Sequence, residues 1–343
     1  HGLIINQTEV RRVSSAVVSS NLSSAMEKNM NRQRIMRTEA NKNIIKENRK
    51  KDMKNLRLGL LFISPIIIGF CCFDLYPIIM SLYYSFTDFS ILRAPEWIGI
   101  DNYVEMFMDP LYWKSVLNTL YFTLIGVPLL TITALLLAVL LNLRTPLIKA
   151  FRALIYIPSV VPTVACALLW SWILNPNYGL LNSVLRSLGV SNPPGWLADP
   201  TWAKLGILLM LLWGTGGQMV IFLAALQGVP DSLKESARLD GANAFQIFIY
   251  VTIPMIRNVI FYCVITQAVA LLQFFAQAYV MSSASTSGSL GGSNNCTLFY
   301  GLYLYQEGFG FLKMGYASAM AWILLIISLF ATWLLLKFSD MFD

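Results

Sequence analysis

Six long apolar runs divide this chain of 343 residues, at approximately 58–80, 116–140, 153–174, 205–227, 258–281 and 316–336. Each is long enough to cross about 30 Å of hydrocarbon as an α-helix, which needs roughly 20 residues. The runs are continuous rather than alternating, so they predict helices and not the strands of a β-barrel. A helix also satisfies its backbone groups within the segment, as lipid requires. Asp74 is the one formal charge inside the six windows. The expected fold class is therefore an all-α membrane protein with six transmembrane helices. A polar segment at 228–257 stands between the fourth and fifth runs and is patterned unlike a simple connector.

That segment carries its own helix signals. Ser232 followed by Glu235 predicts a capping box with a helix starting near 232. Gly241 suits the left-handed position that ends such a helix. Asn243 can cap a second helix over roughly 244–252, and Pro254, which lacks a donor, marks the turn into the fifth run. The expected unit is helix, glycine turn, helix. Its first helix presents Glu235 and Arg238, and its second presents Phe245, Phe248 and Tyr250. An amphipathic connector resting on lipid headgroups would account for the aromatics. Asp231, Glu235 and Asp240 are poorly placed against an anionic membrane surface and favour a protein partner instead.

Composition agrees with a polytopic membrane protein. Only 13% of residues are charged and 56% are hydrophobic, against about 25% charged in a soluble domain. The charge is uneven, since residues 1–57 hold 13 Lys/Arg against 5 Asp/Glu. This reads as a basic cytoplasmic N-terminal tail, partly disordered, followed by a transmembrane domain over 58–343. Arg144, Lys149 and Arg152 sit between runs two and three, and Lys234, Arg238 and Arg257 between runs four and five. By the positive-inside rule these loops and both termini are expected in the cytoplasm. The opposite segments are acidic or neutral and rich in aromatics, including Trp97, Tyr103, Tyr178, Trp196 and Trp202, and residues 282–295 are of low complexity. The chain opens on His1, and Met26, Met30, Met36 and Met53 are read as possible starts, with no secretory signal expected.

With the pattern Glu235-Ser236-Ala237, Gly241, Val251-Thr252-Ile253-Pro254 in view, the 235–254 segment resembles the EAA loop of the membrane-spanning subunits of binding-protein-dependent ABC importers. It departs from that pattern at Ser236, Val251 and Ile253, all mildly. Leu239-Asp240-Gly241-Ala242 is similar to the carbohydrate branch of that family, the maltose, glycerol-3-phosphate and multiple-sugar permeases. So are Ser64-Pro65, Tyr76-Pro77, Ser85-Phe86-Thr87-Asp88, Asn118-Thr119, Ile157-Pro158 with Trp170, Gly179-Leu180-Leu181-Asn182 and Met314-Gly315-Tyr316-Ala317. Gly291-Gly292-Ser293 stands where relatives carry Gly-Gly-Pro. The resemblance covers roughly 57–337. It implies a bacterial cell-membrane protein working with a second permease subunit, two ATP-binding subunits and an extracytoplasmic solute-binding protein. It further implies that Glu235, Ser236, Ala237, Arg238, Asp240, Gly241, Ala242, Phe245, Phe248 and Pro254 contact or shape the contact with an ATPase.

The residues themselves supply no chemistry for an enzyme. No G-x-x-x-x-G-K-[ST] loop is present, His1 is the sole histidine, and the five cysteines are not spaced as metal ligands. No cofactor is expected on this chain, and ATP and magnesium are expected on the partner ATPases. Gly214-Thr215-Gly216-Gly217 predicts a helix break or a close packing point. Trp213, Gly214 and Gln218 in run four, with Gln267, Gln273, Phe274 and Gln277 in run five, are candidates for a sugar path, because amides and aromatic faces suit a neutral glycan. The same residues could serve only as polar contacts between helices. Two alternatives are an ion-coupled secondary transporter, which would need more intramembrane ionisable groups, and an ABC permease for a non-carbohydrate such as glycerol-3-phosphate.

Overall fold

The computed structural model describes Met26, Met30, Met36, Lys46 and residues 53–56, 58–143, 146–283 and 290–340. The basic-tail reading, Arg144 and residues 284–289 of the low-complexity stretch lie outside the described residues. The chain divides into two compact units, His1–Ile78 and Ile79–Asp343.

The first unit holds most of helix α1, Met53–Tyr84. Its middle, Phe70–Leu75, winds as a π-helix, in which the N–H of Tyr76 reaches the carbonyl of Cys71. Pro77 has no N–H to continue the α pattern there, and Asp74 lies in this wider turn.

The second unit opens with an antiparallel pair, β1 (Thr87–Ser90) and β2 (Arg93–Trp97), with Thr87 opposite Trp97. This hairpin was not legible in a segment read only as an aromatic loop. Short helix α2, Asp101–Met108, leads into α3, Pro110–Leu141. Asp109 caps α3 by accepting from Leu111 N, and Pro110 sits at the first turn, where a missing donor costs nothing. The predicted second span thus gains six residues at its start.

The third, fourth and fifth runs form bent pairs. Helices α4 (Ile148–Val160) and α5 (Thr163–Ile173) meet at 100°. After the short helix α6, Leu180–Ser187, helices α7 (Ala203–Trp213) and α8 (Gly216–Gln227) meet at 50°. Helix α9, Asp231–Leu239, precedes α10 (Ala244–Met255), which meets α11 (Arg257–Leu272) at 70°. Among the described residues, three helices are long and apolar enough to cross a membrane, rising to six if each bent pair is one span. The fifth run is not the continuous helix expected over 258–281. It ends at Leu272, turns through Gln273–Phe275 and resumes as α12, Ala276–Ser283. At this break Phe274 is buried against Phe122 and Phe299, 5.4 Å away centroid to centroid in each case. Helix α13, Tyr300–Tyr305, passes through a π-turn at Gln306–Gly310 to the last helix, α14, Met314–Asp340.

Helix α3 is the central post, packed along α8 and α11. One core region gathers Tyr112, Phe122, Leu271, Phe274, Phe299 and Tyr300. A second places small Ala134 and Ala138 against Met219 and Phe222, all four fully buried. The alternation of small and large side chains lets α3 and α8 approach closely, which is how helices associate when lipid supplies no hydrophobic drive.

Candidate functional site

Two places in the second unit have the polarity and shape to do work. The first is the helix pair α9–α10. Helix α9 begins at Asp231 with Pro230 before it, and no side chain caps it. The expected box from Ser232 does not form, because Ser232 already lies inside the first turn and its carbonyl accepts from the Ser236 hydroxyl instead. The helix ends as expected. Gly241 has φ +86°, its N–H bonds the carbonyl of Arg238, and the N–H of Ala242 bonds that of Ala237. These paired bonds form a Schellman end, which needs a left-handed residue that glycine supplies without strain.

Asn243 then builds a full capping box. Its side chain accepts from Gln246 N at 2.9 Å, and the Gln246 side chain accepts from Asn243 N at 2.8 Å. Helix α10 runs past Pro254, which occupies a tolerated early position in the short turn Ile253–Met255. The turn into α11 comes two residues later, at Ile256, rather than at Pro254. Phe245 and Tyr250 are exposed and Phe248 is half-buried. Glu235 and Arg238 line a polar hollow of about 680 Å³ together with Asn142, Arg152, Gln227 and Asp231. Arg152 holds the end of α3 there, its Nη2 donating to the Leu141 carbonyl at 2.8 Å. Asp240, Ser236 and Ala242 lie at or near the glycine turn, outside that lining.

The second place lies where the bent pairs α4–α5 and α7–α8 break. A cavity of about 250 Å³ opens there, lined among others by Gly214, Gln218, Gln267 and Gln277. Gly216 allows the crossing, because a Cβ at that position would lie 2.2 Å from the carbonyl oxygen of Ile155. The Gln218 amide donates to the carbonyl of Cys263 at 3.3 Å, which ties α8 to α11. Trp213 lies outside the lining, its ring edge-on to Trp170 at 6.1 Å. Gln273 and Phe274 lie outside the lining, with Phe274 in the core. The sequence reading missed Ser159, Thr163, Cys166 and Thr215, which also line it. The signal for them was Pro158 and Pro162, which bracket the break of the third run. Among the described residues, no group of three or more His, Cys, Asp or Glu is arranged to hold a metal ion.

Long apolar helices broken around a polar cavity, with a doubly stabilised helix pair at one end, define a membrane permease. Residues 130–339 match the family model of the binding-protein-dependent transport system inner membrane component, and the chain belongs to that family, the permease subunits of ABC importers. It is 40% identical over 284 residues to the probable ABC transporter permease protein YesP of Bacillus subtilis, covering 82% of this chain and 90% of that one. It is 34% identical over 276 residues to the lactose transport system permease protein LacF of Rhizobium radiobacter, covering 78% and 89%. The fold is shared with a crystal structure of a bacterial ABC transporter that imports the acidic polysaccharide alginate. The TM-score is 0.75 at 23% identity, over 85% of this chain and 98% of that one.

Proposed function

We propose that this chain forms, with a second permease subunit, the path by which a sugar or oligosaccharide enters the cell. A solute-binding protein delivers the cargo, and two ATP-binding subunits drive the cycle. ATP and magnesium bind on those partners and supply the free energy, while this chain contributes motion and a path. The orientation that supports this has both termini and the α9–α10 pair in the cytoplasm, where the cationic loops lie. One observation carries the reading: the turn joining α9 to α10 is tied on both sides, by the Schellman end at Gly241 and the capping box at Asn243, and one residue, Ile256, separates α10 from α11. A push on it by an ATPase reaches the broken spans without being absorbed by a slack loop, so the pair can convert nucleotide-driven closure into alternating access.

The cavity at the helix breaks is the proposed contact for cargo, with Gln218, Gln267 and Gln277 offering amide donors and acceptors to hydroxyl groups. Its lining holds no Asp, Glu, Lys, Arg or His, which disfavours an ion-coupled carrier relaying protons through this site. The test uses the assembled importer. Glu235→Lys and Gly241→Asp are expected to abolish solute uptake and weaken co-purification with the ATPase, with membrane insertion unchanged. Normal uptake in both variants would overturn the proposal.

A further inference from the structure

Helix α6 presents an apolar surface that the protein covers only in part. At 100° per residue, Leu180, Leu181, Val184, Leu185 and the following Leu188 share one arc of about 140°. Leu181 and Leu185, on one side of that arc, pack against the core. Leu180, Val184 and Leu188, on the other side, are 65%, 47% and 75% exposed. On the same wheel Arg186 and Ser183 lie about 120° and 60° from Leu180, on the side away from Val184 and Leu188, while Ser187 borders Leu180 at about 20°, and all three are exposed.

The roll of this helix about its axis is held firmly. Asn182 is fully buried, its amide donates to the carbonyls of Pro176 at 3.1 Å and Pro194 at 3.0 Å, and its side-chain oxygen accepts from Trp196 Nε1 at 2.7 Å. The Arg186 guanidinium donates to the carbonyls of Pro176 and Asn177, which keeps its charge on the polar side. The open half of the arc therefore faces one fixed direction.

What precedes the helix indicates its occupant. The outer turns of α5 expose Leu168, Leu169 and Trp172, and Tyr178 follows at 71% exposure. An apolar span ending in a tryptophan and a tyrosine, then a helix with a half-open apolar arc and one polar flank, continues the lipid-facing belt into the interfacial layer. We propose that α6 lies in the membrane–water interface on the side opposite the α9–α10 pair, with Leu180, Val184 and Leu188 in the acyl boundary. There it anchors α5, the outer half of the span bent by 100°, at a set depth. Only the naming of that side rests on the transport reading.

Nitroxide collision measurements on the full importer in phospholipid vesicles test this. Labels go on Leu180→Cys, Val184→Cys, Leu188→Cys, Ser183→Cys and Ser187→Cys, with the exposed Cys71 and Cys72 replaced by serine. Labels at 180, 184 and 188 are expected to collide severalfold more with oxygen than with a water-soluble nickel complex, the label at 183 to show the reverse, and the label at 187, only about 20° from Leu180, to fall between them. Equal access of the nickel complex to all five positions would overturn the proposal, because the stripe would then face water. Shielding of 180, 184 and 188 from both reagents would overturn it as well, because protein would then cover them. Both readouts hold whether or not the vesicles accumulate sugar, so failure of the transport reading would be seen separately.

Discussion

Tyr303 donates its hydroxyl hydrogen to Asp109, the residue that caps α3, although 194 positions separate the two. Tyr316 donates to the same carboxylate oxygen at 3.1 Å. Glu307 is buried beside them, and Lys313 pairs with Glu105 at 2.9 Å across the same recess. The start of α3, helix α13 and the start of α14 are thereby fastened at one end of the bundle. Burial, together with hydrogen bonding to Asp109, pushes the Tyr303 hydroxyl well above its ordinary range, so it stays a donor at every physiological pH.

Burial also raises the Glu307 carboxyl above the usual carboxylate range, with Asp109 and Glu105 adding to the effect and the Tyr303 hydroxyl and Lys313 opposing it. A raised folded-state value means the folded protein binds the proton more tightly than the unfolded chain. The resulting stability is complete below the ordinary Glu value of about 4.3 and is lost as pH rises through the folded value. Glu307→Gln is expected to flatten that slope. Its melting temperature in detergent should exceed the parent's by a few degrees at neutral pH and match it near pH 4. Melting curves across pH check this, and an unchanged slope would show that Glu307 is not the group responsible.

The capping box at Asn243 gives a local prediction. Asn243→Ala should cost about 1 kcal/mol of helix stability and speed amide exchange over 244–248 roughly fivefold, with exchange in α3 unaffected. If the α9–α10 pair transmits force, uptake per ATP hydrolysed should fall as well.

The crossing at Gly216 tolerates no side chain. Gly216→Ala places a methyl against the Ile155 carbonyl, an overpacking that should cost about 1–3 kcal/mol. Thermal unfolding of the purified protein checks the loss, and Gly217→Ala serves as the control, because its Cβ would meet nothing closer than 3.8 Å.

At the cavity, Gln218→Ala and Gln267→Ala each remove one candidate hydrogen bond to cargo. Roughly 0.5–1.5 kcal/mol is expected for each, read as a 2–10-fold rise in the KM for uptake with ATPase assembly intact. Gln273→Ala, outside the lining, should leave KM unchanged. A rise of the same size at Gln273 would argue that all three serve helix packing alone.

Much of this was legible in the chain. The apolar runs announce spans because hydrocarbon leaves a backbone few options, and the left-handed Gly241 and the capping Asn243 announce themselves because their conformations are set within a few residues. The Ser232 box was misread for the converse reason. Proline at 230 already allows the helix to start one residue earlier, and nothing in the sequence ranks the two starts.

The candidate cavity was half legible. Gln218, Gln267 and Gln277 are polar residues in apolar runs, which marks them at once. Gln273 carries the same mark yet stands outside the lining, in the break where the helix stops at Leu272, and the neighbouring Phe274 goes to the aromatic core. Ser159 and Thr163 join the lining only because α4 and α5 part at Val161–Pro162 by an angle no local rule sets.

By itself, then, the sequence determined what short-range chemistry determines: an apolar helical membrane protein, the places of its long apolar runs, and a polar helix pair with its glycine turn between the fourth and fifth runs. Only the tertiary structure decided which spans break, by how much, and which side chains meet at the breaks, as it did the joining of Asp109 to Tyr303. Those outcomes depend on contacts between residues tens to hundreds of positions apart, such as the bare Gly216 backbone against the Ile155 carbonyl and the Phe274 ring against Phe122 and Phe299, which no local window contains.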